Sequence, residues 1–173
     1  CLPINSYQLL NTARRTGTKL SIVESGRKIN EKMPDHTVEL ISDAFKECNK
    51  SIQNSEILIL GVSYKPNVKD IQLSPAEHII KKLQNLGANV HIYDPNFSST
   101  EVFGIKVEDS LHDILSKTDA AVIVTGHDEF KKIEISSFAK MKTPILIDTR
   151  GIIEPQSTKH HNIIFRGLGR GDF

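Results

Sequence analysis

The chain has 173 residues, 38% of them hydrophobic and 25% charged, with 22 Lys+Arg against 21 Asp+Glu. That fits one soluble globular domain, or a domain with a helical appendage, and no apolar run approaches the roughly 20 residues of a membrane span. The balanced charge excludes a nucleic-acid binder held mainly by bulk charge, and two cysteines exclude a disulfide scaffold or a Cys-rich zinc site.

The first residue is Cys1. A lipidated mature terminus would need a polar tether after it, whereas Leu2-Pro3-Ile4 follows and then Tyr7, Leu9, Leu10 and Ala13 at helical spacings. A cut from a longer chain, or a protein-splicing junction, which commonly uses a cysteine, also accounts for it. A helix starting near Asn5 would set the Cys1 thiol at its positive end and favour the thiolate.

Residues 5–16 read as one amphipathic helix closed by Gly17. Ser21 and Glu24 have capping-box spacing, so a second helix is expected from Ser21. Its apolar positions are Ile22, Gly26, Ile29 and Met33. Pro34 is expected to kink that helix or to start the next. Val38, Ile41, Phe45, Cys48 and Ile52 then form a stripe that must be buried against another domain or another subunit, with Cys48 a packing residue.

From residue 55 the pattern changes. Glu56–Leu60 reads as a buried strand ending at Gly61, and Ser74-Pro75-Ala76-Glu77 opens a helix that Gly87 stops. Asn89–Tyr93, Ala120–Val124, Pro144–Ile147 and Ile163–Phe165 are further strands, with a short helix at Leu111–Ser116. Strands alternating with helices predict an α/β fold: a Rossmann-like parallel sheet with helices on both faces, preceded by long helices. Ligands of such sheets bind beyond the strands' carboxyl ends. That places candidate loops at Val62–Asp70, Asp94–Asn96, Thr125–Asp128 and Asp148–Gly151.

The chemistry of those loops is partly readable. Gly61 is the only glycine in the loop directly after the first strand, so the G-x-G-x-x-G dinucleotide fingerprint is absent, although Asp94 stands where a ribose-binding acid would. Lys65 could meet a phosphate or be a solvated surface lysine; Arg150 could pair with phosphate or form an ion pair with Asp148. His127 with Asp128, and the neighbours His160 and His161, lack ligand spacing, so no metal is expected.

Five segments together resemble the UDP-glucose/GDP-mannose dehydrogenase family. Cys1-Leu2-Pro3-Ile4-Asn5-Ser6-Tyr7-Gln8-Leu9 resembles its active-site segment. Leu60 to Asp70 with Ser74-Pro75 resembles the opening of its UDP-binding domain. Tyr93-Asp94-Pro95, Asp148-Thr149-Arg150 and Gly167-Leu168-Gly169-Arg170-Gly171 follow in the same order. The resemblance implies a helical remnant of a dimerising central region over residues 1–52 and a UDP-binding domain over residues 53–173. It implies a cytoplasmic homodimeric enzyme whose NAD-binding half precedes Cys1 and which oxidises C6 of a UDP-hexose to the uronate, so that this chain alone is inactive. Cys1 would be the catalytic nucleophile, carrying a thiohemiacetal and then a thioester. Tyr64 and Lys65 would contact the UDP-sugar and Arg150 the nucleotide. Two positions depart from the family pattern. Asn5 replaces the usual Asp and can orient water but cannot accept its proton; Gln72 replaces an Arg that contacts NAD. They leave open a non-catalytic nucleotide-sugar-binding module.

Overall fold

A computed structural model describes residues 2–170. Cys1 and Gly171 therefore lie outside the described residues. Two helices come first, α1 (Leu2–Arg15) and α2 (Ser21–Glu47). Then follow β1 (Glu56–Leu60), α3 (Pro75–Asn85) and β2 (Asn89–Tyr93). A two-stranded hairpin, β3 (Glu101–Val102) and β4 (Ile105–Lys106), leads to α4 (Leu111–Leu115) and β5 (Ala120–Ile123). The chain ends with α5 (Ile135–Phe138), β6 (Ile145–Asp148), α6 (Pro155–Lys159) and β7 (Ile164–Gly167).

The strands pair in the order β2-β1-β5-β6-β7, all parallel. Alternate side chains of each strand point to opposite faces, and both faces are buried. Ile57 and Ile59 join Val122, Ile145 and Ile147 on one face, covered by Val38, Ile41 and Phe45 of α2 and Ile79, Ile80 and Leu83 of α3. Leu58 and Leu60 join Ala121, Ile123 and Leu146 on the other, covered by Ile114, Phe130, Phe138 and Met141. The expected doubly covered parallel sheet is thus present.

The stripe on α2 finds its partner within this chain. Ile41, Ala44 and Phe45 are fully or almost fully buried in the core of the first face, and Cys48 and Ile52 pack at its margin. No second subunit is needed to cover it. Burial raises the Cys48 thiol, consistent with a packing role. Pro34 lies inside one continuous helix rather than between two. Nor does the capping box form. Ser21 is the first helical residue, Leu20 is the N-cap without a side-chain bond, and the Glu24 carboxylate turns to Lys28 at 3.3 Å.

The helix signals of α1 and α3 behave as read. Gly17 takes a positive φ of 69° and the Thr18 N–H returns to the Ala13 carbonyl. Ser74 caps α3 by accepting from the Ala76 N–H at 3.2 Å. α1 lies antiparallel against α2, with Tyr7 hydrogen-bonded to Glu31 and Arg14 beside Glu24. The side chains of Ile4, Tyr7, Leu9, Ile22 and Ile29 remain exposed on this helical hairpin.

Candidate functional site

The strand order reverses at β1, which has β2 on one side and β5 on the other. The loops leaving the carboxyl ends of such strands diverge and open a crevice. Here the crevice is shaped by two buried aspartates. Asp94, just after β2, accepts the N–H of Val62 at 2.8 Å and of Asn96 at 2.9 Å, and His127 Nε2–H at 3.1 Å. Burial pushes its carboxyl up, but these bonds outweigh burial and hold it below the usual carboxylate range. Asp148, the last residue of β6, accepts the N–H groups of Arg150 and Gly151 through one oxygen and of Ile153 through the other. Both aspartates are fully buried. An Asp that bonds the N–H two residues on is a turn former, and both use that geometry.

The close packing of the first and third loops depends on Gly61. Its φ is +84°, and a Cβ there would lie 2.6 Å from Thr125 Cβ and 2.9 Å from the Thr125 carbonyl oxygen. Thr125 in turn donates its hydroxyl to the Ser63 carbonyl. Farther out, the Asn67 side chain and Asp128 exchange two hydrogen bonds, of 2.7 and 3.1 Å. The loop 62–70 is therefore tied to the loop 125–128 along its length.

Beside these loops lies a cleft of about 390 Å³ between α2, the start of α3 and the ends of β5, β6 and β7. Tyr64, Arg150, Thr149, Leu168, Pro34 and Glu31 are among its lining residues. Arg150 Nε donates to the Val124 carbonyl at 2.6 Å, which fixes the guanidinium against the loop after β5. Its two terminal nitrogens make no hydrogen bond or ion pair among the described residues. The ion pair with Asp148 weighed from the sequence does not form, because the Asp148 oxygens are committed to backbone N–H groups.

The sequence-nominated residues thus separate. Tyr64 and Arg150 share the cleft. Lys65 and Gln72 are exposed on the loop before α3 and do not line it. Asn5 is exposed on α1. Cys1 lies outside the described residues. His127, weighed as structural or solvated, is structural and fully buried. Thr149 and Leu168 were named only as parts of the resembling segments, with no role, and Glu31 was not named. Thr149 directly precedes the nominated Arg150, a signal that was there to use; Glu31 enters through tertiary packing of α2, which no local pattern encodes.

NAD, which the resemblance implies, does not fit the described residues. The turn after β1 has one glycine, and fourteen residues separate the end of β1 from the first residue of α3. Asp94 is fully buried with its oxygens engaged by the chain, so it is not available to a ribose hydroxyl. Among the described residues there is no group of three or more His, Cys, Asp or Glu that could hold a metal, and no helix long and apolar enough to cross a membrane.

Comparison with known proteins agrees with this architecture. Residues 58–155 match the model of the UDP-glucose/GDP-mannose dehydrogenase family, UDP binding domain. The UDP-N-acetyl-D-mannosamine dehydrogenase of Pyrococcus horikoshii is 35% identical over 99% of this chain and 38% of that protein. The UDP-glucose 6-dehydrogenase TuaD of Bacillus subtilis is 30% identical over 98% of this chain and 37% of that protein. A solved structure of UDP-D-ManNAc dehydrogenase from P. horikoshii superposes with a TM-score of 0.86 at 33% identity, covering this whole chain and 38% of the other. The chain thus spans under two-fifths of the length of these relatives. With a family model matching more than half of its residues and a superposition over its full length, the chain belongs to the UDP-glucose/GDP-mannose dehydrogenase family.

Proposed function

We propose that this chain is the nucleotide-binding part of an NAD-dependent UDP-sugar 6-dehydrogenase, and that the cleft at Tyr64 and Arg150 receives the UDP moiety. The observation that carries the reading is the state of Arg150. Its Nε is tethered to Val124, while both terminal nitrogens face no protein partner among the described residues. A guanidinium held by one edge presents the other as a two-pronged donor, the geometry that suits a phosphate. Lys65 adds a second positive charge on the neighbouring loop, and Tyr64, 42% exposed, adds an aromatic face and a hydroxyl. The relatives' names support a UDP-sugar: one acts on UDP-glucose, another on UDP-N-acetyl-D-mannosamine.

In the whole protein, the substrate is a UDP-hexose such as UDP-glucose or a UDP-N-acetylhexosamine, oxidised at C6 to the uronate. Cys1 is the proposed nucleophile: its addition to the C6 aldehyde would give a thiohemiacetal, hydride loss to NAD held outside this chain would leave a thioester, and Asn5 would orient the water that hydrolyses it. Support is positional. The pairing of Tyr7 with Glu31 and Arg14 with Glu24 directs the amino-terminal end of α1 along α2 towards Pro34 and Thr37, which line the cleft. NAD would be held by a part of the protein outside this chain, near the exposed Gln72. The chain alone therefore binds the UDP moiety without oxidising the sugar. The apolar residues exposed on α1 and the first half of α2 are the proposed homodimer face. Asn5 and Gln72 favour a second reading, a nucleotide-sugar-binding module without catalysis, which reconstitution with NAD and a UDP-sugar would separate from the first.

The test is calorimetric titration of this chain with UDP. One saturable site is expected, weakened about tenfold or more by Arg150→Ala, since a charge-assisted bond to phosphate is lost. No heat and no change in melting temperature would contradict the reading.

A further inference from the structure

We infer that His127 is a positioning residue: it pins the loop between β1 and α3 in the shape that presents Tyr64 and Lys65 to the nucleotide, without touching the nucleotide itself. The inference rests on the proposed UDP site. It starts from a feature that this site does not use. His127 is fully buried, yet it is not merely filling space, because both ring nitrogens are engaged. Nδ1 accepts the backbone N–H of Asn67 at 2.9 Å. A nitrogen that accepts carries no proton, so the ring proton sits on Nε2, which donates to Asp94 Oδ2 at 3.1 Å. One neutral tautomer satisfies both bonds. The ring is wedged edge-on against Phe130, with centroids 5.3 Å apart.

The two bonds act on one stretch of chain. The same Asp94 oxygen that faces His127 also accepts the Val62 N–H, at 2.8 Å. Asp94 therefore anchors the loop where it leaves β1, and His127 anchors it at Asn67, five residues on. Tyr64 and Lys65 lie between the two anchors. Their side chains make no hydrogen bond or ion pair among the described residues, so the course of the backbone between the two anchors governs where they point. Asn67 itself has a positive φ of 59°, a turn conformation that asparagine tolerates better than most residues. The bond to His127 and the side-chain exchange with Asp128 hold it in place.

The experiment compares His127→Leu with His127→Gln in this chain. Gln can accept from Asn67 and donate to Asp94, whereas Leu can do neither. Calorimetry should show UDP binding weakened about tenfold in His127→Leu and restored to within about threefold in His127→Gln. Amide exchange should be slow at Asn67 in the wild type and in His127→Gln, and about tenfold faster in His127→Leu, by loss of that one bond. Unchanged affinity and unchanged Asn67 exchange in His127→Leu would overturn the inference, as would a folded His127→Gln that rescues neither. If His127→Leu does not fold, nitrogen-15 shifts of the wild-type ring decide. A bare Nδ1 with a protonated Nε2 and a slow Asn67 amide support the pin; a protonated Nδ1 overturns it. If UDP fails to bind the wild type, the functional reading falls, while the Asn67 exchange still reports whether His127 holds the loop.

Discussion

The carboxyl edge of the sheet and the helical hairpin at the start of the chain meet water in opposite ways. At the sheet edge, Asp94, Asp148 and His127 are fully buried and each is engaged by backbone or side-chain partners. On the hairpin, Ile22 is 89% and Ile29 63% exposed, and Arg27 Nε is buried without a hydrogen-bond partner. Helix α2 runs through both regimes. Its second half lies on the sheet and its first half stands clear of it. The difference teaches that the sheet edge is completed by this chain's own atoms, whereas the hairpin offers surface that this chain does not cover.

The sharpest way to break that contrast is at Phe45, which is 1% exposed beneath the sheet. Phe45→Ala should cost about 3–5 kcal/mol by transfer and cavity terms. Urea unfolding measures it, and a cost below about 1 kcal/mol would mean that α2 does not complete the core as described. A smaller effect is expected at Asp94. Asp94→Asn keeps the shape but removes charge from several hydrogen bonds, at a cost of about 1–3 kcal/mol. The pH dependence gives its sign. The folded carboxyl is held below its ordinary value, so its stabilisation is fully present above about pH 4 and is lost as pH falls through the folded value. Acid titration of stability should show this loss in the wild type and less of it in Asp94→Asn; equal acid sensitivity would contradict the assignment. The smallest effect is expected on the hairpin. Ile22→Ser and Ile29→Ser should change folding stability by no more than about 0.5 kcal/mol, because the side chains are exposed. Sedimentation should show weaker self-association in the variants, and unchanged association would remove these residues from the proposed dimer face.

The sheet was readable because its strands are apolar on both faces, as in Glu56–Leu60 and Ala120–Ile123, and because Ser74-Pro75 and Gly87 punctuate α3 chemically. The β3–β4 hairpin was not readable: its turn uses Phe103 and Gly104, both at positive φ, and phenylalanine is an uncommon residue there. The Ser21 capping signal misled because Glu24 has a better partner in Lys28, one turn on. The fate of the α2 stripe was also hidden, since the strands it covers include β5 and β6, far along the chain. At the candidate site, the family resemblance named Tyr64 and Arg150, and both line the cleft. The Asp94–His127–Asn67 chain was not, because it joins positions 33 and 60 residues apart that only the sheet order brings together.

The most direct measurement is the heat of titrating this chain with UDP, run in parallel on Arg150→Ala. The account predicts one saturable site in the wild type and affinity reduced about tenfold or more in the variant. Absence of binding in the wild type, or equal binding by both proteins, would contradict the assignment of the Tyr64–Arg150 cleft to the nucleotide.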